Sequence, residues 1–376
     1  MEIIRKIESR IISFLEPGKV NILYGARRVG KTYLLKKIAN EQNVSYLWLN
    51  GELPEVQEIL QTKNLNNYRN LFAGFQLVII DEAQAIPQIG QILKIIVDEL
   101  PHLKIVASGS SAFDLTNKLG EPLVGRAFWH EMYPIAQLEI SMKENILDTI
   151  KNKDERLVFG SYPEVINLVG FERKEEYLKD LVNAYLLKDI LSLEGIRNAS
   201  KIYDLLKLIA FHLGKEVSLN ELGTQLGMSK NTIEKYLDLL EKVFVLKKIT
   251  GFSKNLRKEI TKTSRWYFWD NGIRNAIIND FKALNLRNDT GELWENYLIV
   301  ERLKNNEYER ANKEMYFWRT YDQQEIDCLE TKNGEIAAFE FKFGSKIGKI
   351  PGAFASAYPD ASFQTINKEN YLYFIV

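Results

Sequence analysis

A single cysteine, Cys328, stands in 376 residues, so no disulfide framework and no cysteine-rich zinc site can be built. Histidine is nearly as scarce, and His102, His130 and His212 lie in unrelated settings, which argues against a structural zinc. Charge of neither sign is in excess. The 50 basic residues balance the 50 acidic ones, which excludes a wholesale polyanion binder and leaves room for a local basic patch. No apolar run approaches the roughly 18 residues that span a bilayer. The opening stretch MEIIRKIESRIISFLEPG carries Ile3, Ile4, Ile7, Ile11, Ile12 and Leu15 at helical spacing with charges between them, unlike a secretory leader. A soluble cytoplasmic protein with no membrane partner is the expectation. Hydrophobic residues at 45% supply ample apolar surface, and the length predicts two or three domains.

The first part of the chain alternates strand and helix. Residues 20–24, 45–50, 76–80 and 103–107 read as strands, and 31–42, 54–61 and 87–100 as helices. The run at 76–80 is apolar throughout, as in a strand buried on both faces. This rhythm predicts an α/β fold with a parallel sheet covered by helices. From about residue 148 the pattern turns helical, with amphipathic segments at 174–193 and 199–213. Near 265 it changes again, to strands at 266–269, 316–319, 326–329 and 336–343 and a helix at 293–303. The expected domains are therefore 1–145, built on a parallel sheet; 146–265, largely helical; and 266–376, of mixed α/β character.

Residues 25–32 read GARRVGKT, a complete G-x-x-x-x-G-K-[ST] between an apolar strand and a helix. Gly25 and Gly30 permit a tight turn and close approach of backbone to phosphate. The N–H groups along Gly25, Ala26, Arg27, Arg28, Val29 and Gly30, with the helix N-terminus behind them, favour an anion. Lys31 reaches the β- and γ-phosphates, and Thr32 offers a hydroxyl to magnesium. ATP and Mg2+ are the expected ligands. A second motif, QLVIIDE, ends a strand in two acids. Asp81 sits where the magnesium shell needs a carboxylate, and Glu82 where one can orient the attacking water. Ser108, ending the strand at 103–107 ahead of Gly109, Ser110 and Ser111, is either a γ-phosphate sensor or part of an ordinary turn. Arg126 in LVGRAF is either an arginine finger acting on phosphate, in its own subunit or a neighbour's, or half of a surface salt bridge.

The ordered set GARRVGKT, VIIDEAQ, ASGSSAF, LVGR and FGSYPEV, continued by LLKDI, YFWDNGIRNAI and GELWENYLIVERL, resembles the prokaryotic AAA-type (AAA+ superfamily) ATPases that carry a C-terminal conserved domain of unknown function. The resemblance covers nearly the whole chain. It implies an ATPase with a winged-helix segment in the middle, and homo-oligomers remain open.

In that middle, Ser218 can cap a helix to Leu226, Gly227 ends it, and Ser229 caps a second helix with Ile233, Tyr236, Leu237 and Leu240 on one face. Lys230, Asn231, Glu234 and Lys235 would point outward, as in a DNA-reading helix. Lys247, Lys248, Lys254, Arg257, Lys258, Lys262 and Arg265 follow against one acid, Glu259, which suits phosphate contact. Glu234, Asp238 and Glu241 weigh against it, and a winged helix used only for assembly with protein partners is the alternative.

Near the C-terminus, Glu295 lies on a helix, Asp327 on a strand, and Glu340 and Lys342 on the next strand. Glu340 and Lys342 are two apart, so they face one way. A hairpin across Lys332, Asn333 and Gly334 would bring Asp327 beside Glu340. This order resembles the PD-(D/E)XK nucleases, in which converging carboxylates hold magnesium and a lysine assists. Some such domains bind without cutting, and that alternative stands beside cleavage.

Overall fold

Strands that are apolar throughout can be buried only inside a sheet covered on both faces, and this determines the first part of the chain. The computed structural model describes residues 2–62, 64–110, 123–186, 199–253, 264–320 and 322–376. These divide into two compact units, one of residues 2–134 and 242–244, the other of 135–241 and 245–376.

The first unit runs α1 (Lys6–Ser13), β1 (Lys19–Tyr24), α2 (Lys31–Glu41), β2 (Tyr46–Asn50), α3 (Pro54–Gln61), α4 (Leu65–Leu71), β3 (Leu77–Asp81), α5 (Ile89–Glu99), β4 (Lys104–Gly109) and β5 (Ala127–Glu131). The strands form one parallel sheet in the order β2-β3-β4-β1-β5. Every residue of β3 is buried. Val20, Ile22, Val78, Ile80, Ile105 and Ala107 pack one sheet face against Leu60, Tyr68, Ile92 and Ile96. The strand β4 lies between β1 and β3, so the loop after β1 and the acids ending β3 flank the same strand end. The edge strand β5 was not expected. Its sequence, AFWHE, has no run of aliphatic residues to announce it.

The second unit continues with α6 (Gln137–Ile140), α7 (Ile146–Phe159), α8 (Pro163–Asn167), α9 (Phe171–Asp180), α10 (Ala199–Phe211), β6 (Glu216–Val217), α11 (Leu219–Leu226), α12 (Lys230–Lys242), β7 (Leu246–Gly251), β8 (Ser264–Phe268), α13 (Asn271–Ile278), α14 (Thr290–Tyr308), β9 (Glu314–Arg319), β10 (Glu325–Lys332), β11 (Glu335–Phe341), α15 (Gly352–Ala357), β12 (Ser362–Ile366) and α16 (Tyr371–Ile375). Its strands form one sheet in the order β12-β11-β10-β9-β7-β8-β6. The expected capping is present: Ser218 Oγ accepts from Glu221 N, Ser229 Oγ accepts from Thr232 N, and Gly227 ends α11 at φ 61°.

The structure differs from the expected domain bounds. The first unit closes at 134 rather than 145, and no boundary falls at 265. There β8 crosses the expected border, and β7 pairs with β9 through Thr250↔Tyr316 and Gly251↔Phe317. Backbone groups on both sides of residue 265 are satisfied in one ladder, a long-range pairing that local periodicity cannot report. The helix expected over 174–193 starts earlier, as α9, and runs on as a π-helical turn at Leu181–Leu186. Its remainder, with residues 187–190 of LLKDI, lies outside the described residues, as do Ser111, Lys254, Arg257, Lys258, Glu259 and Lys262.

Three of the resembling motifs interlock inside this second unit. After α7 the chain turns at Gly160 (φ 73°), where a Cβ would lie 2.0 Å from Asp270 Oδ1. Asp270 accepts from Ser161 N (2.7 Å) and caps α13 through Ile273 N (3.2 Å). Asn271 donates to the carbonyls of Leu157 and Leu293, and Asn275 to that of Val158 at 2.7 Å. Asn296 on α14 closes the set, accepting from Phe268 N and donating to Asn271 Oδ1. FGSYPEV, WDNGIRNAI and GELWENY thus form a buried polar joint between helix ends.

Candidate functional site

Strand register aligns the site of the first unit. Leu23 is opposite Ser108 and Tyr24 opposite Gly109, while Ile80 is opposite Ala107, so Gly25, Asp81 and Ser108 share the C-terminal edge of the sheet. Gly25 is held against the backbone of Met132, where a Cβ would sit 2.0 Å from the carbonyl oxygen. No other residue fits there. Gly30 enters α2 at φ 99°, and no side chain caps the helix start. Its leading N–H groups are the donors that an anion satisfies.

Lys31 is buried, and its Nζ donates to the carbonyls of Gly25 (2.9 Å) and Ala26 (2.8 Å). Ala26 and Val29 are buried, Arg27 is half-buried, and Arg28 is exposed with φ 62°. Thr32 Oγ1 donates to Asp81 Oδ2 at 2.8 Å, and Ser108 Oγ donates to the other carboxylate oxygen, Oδ1. The same Ser108 Oγ accepts from Glu82 N at 3.2 Å. Glu82 itself is in the left-handed region (φ 49°), and its Oε2 accepts from Gln84 Nε2 at 2.5 Å. Gln84 also reaches Ser110 Oγ at 3.3 Å. The donors fit a magnesium-bound polyphosphate: a glycine cradle, an ammonium inside it, and a hydroxyl bonded to a carboxylate. Sequence reasoning gave no role to Gln84. Its position two residues beyond the acids was the available signal.

Arg126 is not brought to this edge. It immediately precedes β5, and its carbonyl accepts from Val20 N at the start of β1, the end of the sheet opposite Gly25. Its guanidinium makes a two-pronged pair with Asp98, at 2.7 and 3.2 Å, on the surface. A finger role within its own subunit is corrected: the arrangement is the surface salt bridge.

In the second unit, Glu295, Asp327, Glu340 and Lys342 all line one cleft of about 510 Å3, together with Arg265 and Glu325. The hairpin is as expected: Cys328 opposes Phe339 and Lys332 opposes Glu335. Each acid, however, is engaged from within the chain. Glu295 accepts from Tyr267 Oη (2.7 Å), with Arg265 at 3.6 Å. Asp327 accepts from Phe341 N (2.7 Å), and Glu340 is paired with Lys342 (2.6 Å). Arg265 also pairs with Glu325 at 2.9 Å. Burial, then the neighbouring Asp327, pushes the Glu295 carboxyl up to about 8; burial, then Glu340, pushes Asp327 up to about 7. Among the described residues no three carboxylate, histidine or thiol groups stand as a metal-holding cluster.

On α12, Lys230, Asn231, Glu234 and Lys235 are exposed, as expected. The described members of the basic stretch are engaged: Lys247 with Glu241 (3.1 Å), Lys248 over the Trp266 ring, and Arg265 as above. No helix among the described residues is long and apolar enough to cross a membrane.

Three family models match the chain, one over most of the first unit and two largely within the second. Residues 17–141 match the family model described as an AAA domain, and residues 150–286 and 290–373 match two domains of unknown function. The chain carries an AAA-family ATPase-like domain. An uncharacterized protein of Methanocaldococcus jannaschii is 24% identical, covering 96% of this chain and 83% of that protein. An uncharacterized protein of Mycobacterium tuberculosis is 25% identical, covering 90% and 73%. A solved RuvB mutant of Thermotoga maritima is 17% identical with a TM-score of 0.34, covering 65% of this chain and 89% of that one.

Proposed function

We propose that the chain is a magnesium-dependent ATPase whose nucleotide state controls a second unit that grips or cuts nucleic acid. The observation that carries the ATPase reading is Asp81, held between the hydroxyls of Thr32 and Ser108 with Glu82 next in sequence. Lys31 and the loop N–H groups would bind the phosphates, Thr32 and Asp81 would hold magnesium, and Glu82 would orient water. Magnesium, when bound, screens the phosphate charge. Ser108 fixes both the carboxylate of Asp81 and the backbone of Glu82, which suits a residue that couples the γ-phosphate to the catalytic acid.

For the second unit, the order α10-β6-α11-α12-β7-β8, with β8 between β6 and β7, supports a winged helix. The exposed Lys230, Asn231 and Lys235 support DNA contact. The cleft holding Glu295, Asp327, Glu340 and Lys342 supports a nuclease-like ancestry. A second reading is favoured by one observation: Glu295, Asp327 and Glu340 are already engaged by Arg265, Tyr267, Lys342 or a backbone N–H. In this reading the protein is an ATP-dependent switch for protein partners and cuts nothing. A magnesium-dependent cleavage assay separates the two. Cleavage lost in Asp327→Ala and Lys342→Ala supports the first reading. No cleavage and no salt-dependent DNA binding leave the switch.

A further inference from the structure

We propose that Arg5 is a positioning residue for the phosphate cradle, acting from behind the loop; the inference rests on the ATPase reading above. Arg5 precedes α1 and is only 6% exposed. Its Nη1 donates to the carbonyl of Val29 at 2.6 Å and its Nη2 to the carbonyl of Tyr133 at 2.7 Å. One guanidinium thus joins the loop 25–32 to the strap Met132–Tyr133 that follows β5. The same strap holds the other end of the loop. Met132 N donates to Tyr24 O at 2.8 Å, and the Met132 carbonyl is the close neighbour that only glycine at 25 tolerates. At Gly30 the nearest atoms that a Cβ would meet are Met132 Cε at 3.7 Å and Arg5 Nη1 at 3.8 Å. Both glycines of the motif therefore rest on one backing, and Arg5 is its charged member.

The consequence follows from the planar trans peptide, in which C=O and N–H point in opposite directions. The carbonyl of Val29 and the N–H of Gly30 belong to one peptide group. Pinning that carbonyl toward Arg5 turns the Gly30 N–H to the opposite side of the loop, away from Arg5. The charge-assisted bond also polarises the peptide and strengthens its N–H as a donor. Arginine suits the task because its planar fork reaches two carbonyls at once, and a lysine ammonium on a single point does not match that spacing. A cradle held in its binding geometry before ligand arrives avoids the ordering cost of binding. Arg5 touches neither ligand nor reacting atoms, and ground state and transition state would benefit alike. Its loss then raises KM and leaves kcat.

The test uses the full chain, with Mg-ADP binding and steady-state ATPase rates measured for wild type, Arg5→Ala, Arg5→Lys and Lys31→Ala. Arg5→Ala should weaken Mg-ADP and raise KM for ATP by about 10- to 100-fold with kcat within about 2-fold. Arg5→Lys should fall between it and wild type, and hydrogen exchange across residues 25–34 should quicken in Arg5→Ala. A merely structural role would lower Tm and kcat per total protein with KM unchanged, and that pattern overturns the proposal. Should Arg5→Ala fail to fold, Arg5→Lys decides: a raised KM supports the two-carbonyl bridge and parity with wild type overturns it. If Lys31→Ala loses binding while Arg5→Ala keeps wild-type affinity, only the Arg5 proposal fails. If Lys31→Ala binds and turns over normally, the ATPase reading fails with it.

Discussion

At the scale of single residues, the firmest expectations concern Lys31 and Glu82. Lys31 lies inside its own loop, so Lys31→Ala removes the charge that phosphate binding needs. Nucleotide binding or turnover should be lost, as read by Mg-ADP titration and phosphate release. Glu82→Gln keeps a side chain of the same shape and removes the carboxylate. It should bind ATP with near wild-type affinity and hydrolyse it at least about 100-fold more slowly. Undiminished hydrolysis in that variant would remove Glu82 from the catalytic role. Asp81 and Glu82 stood out in the sequence because they end an apolar strand in company with a complete phosphate-loop motif, whereas Ser108 read equally as an ordinary turn. Arg5 and Gln84 were not, because neither carries a motif and their significance lies in what they touch.

Glu295 and Asp327 make a further residue-scale expectation. Both carboxyls are held above their ordinary values, to about 8 and about 7. A folded state that binds protons more tightly than the unfolded one is favoured at low pH, and the gain is lost as pH rises through the folded pKa. Stability of the second unit should therefore decline from about pH 5 to about pH 8 on account of these groups. Glu295→Gln, measured with chelator present, should flatten that decline and raise Tm most at pH 8. An unchanged slope would mean that the two carboxyls ionise freely.

At the scale of elements, the buried joint among α7, α13 and α14 carries the clearest prediction. Asn275 is fully buried and its amide satisfies the Val158 carbonyl near the end of α7. Asn275→Ala should cost about 1–3 kcal/mol, read by denaturant unfolding, because that carbonyl is left unpaired away from water. Its ATP affinity should be unchanged. The sequence showed the motifs and could not show their purpose. FGSYPEV and WDNGIRNAI are 109 residues apart at the Ser161–Asp270 contact, and only the folded chain brings them together. Helix and strand positions were read well where periodicity was strong, as in α2, β3, α12 and the hairpin of β10 and β11. Among the elements missed were β5 and β7, short edge or polar strands whose pairing partners are distant.

At the scale of the whole molecule, the described residues form two compact units, and strand pairing across residue 265 joins segments that the local change in composition would separate. Arg126 belongs to this scale too. Its pairing with Asp98 takes it to the sheet end away from its own nucleotide loop. At dilute protein, Arg126→Ala should match the wild-type specific ATPase rate. A rate that climbs with concentration in wild type and not in the variant would assign the arginine to a neighbouring subunit's site.

The seven-stranded sheet has one more consequence. A polypeptide severed within residues 254–263 would leave β6 and β7 on one piece and β8 to β12 on the other, although β8 lies between β6 and β7 in the ladder. Each piece would present an open row of backbone N–H and C=O groups that only the other fits. Expressed alone, the halves should aggregate; produced in the same cell, they should find each other and reconstitute, so that this break point suits a split reporter rather than a domain truncation.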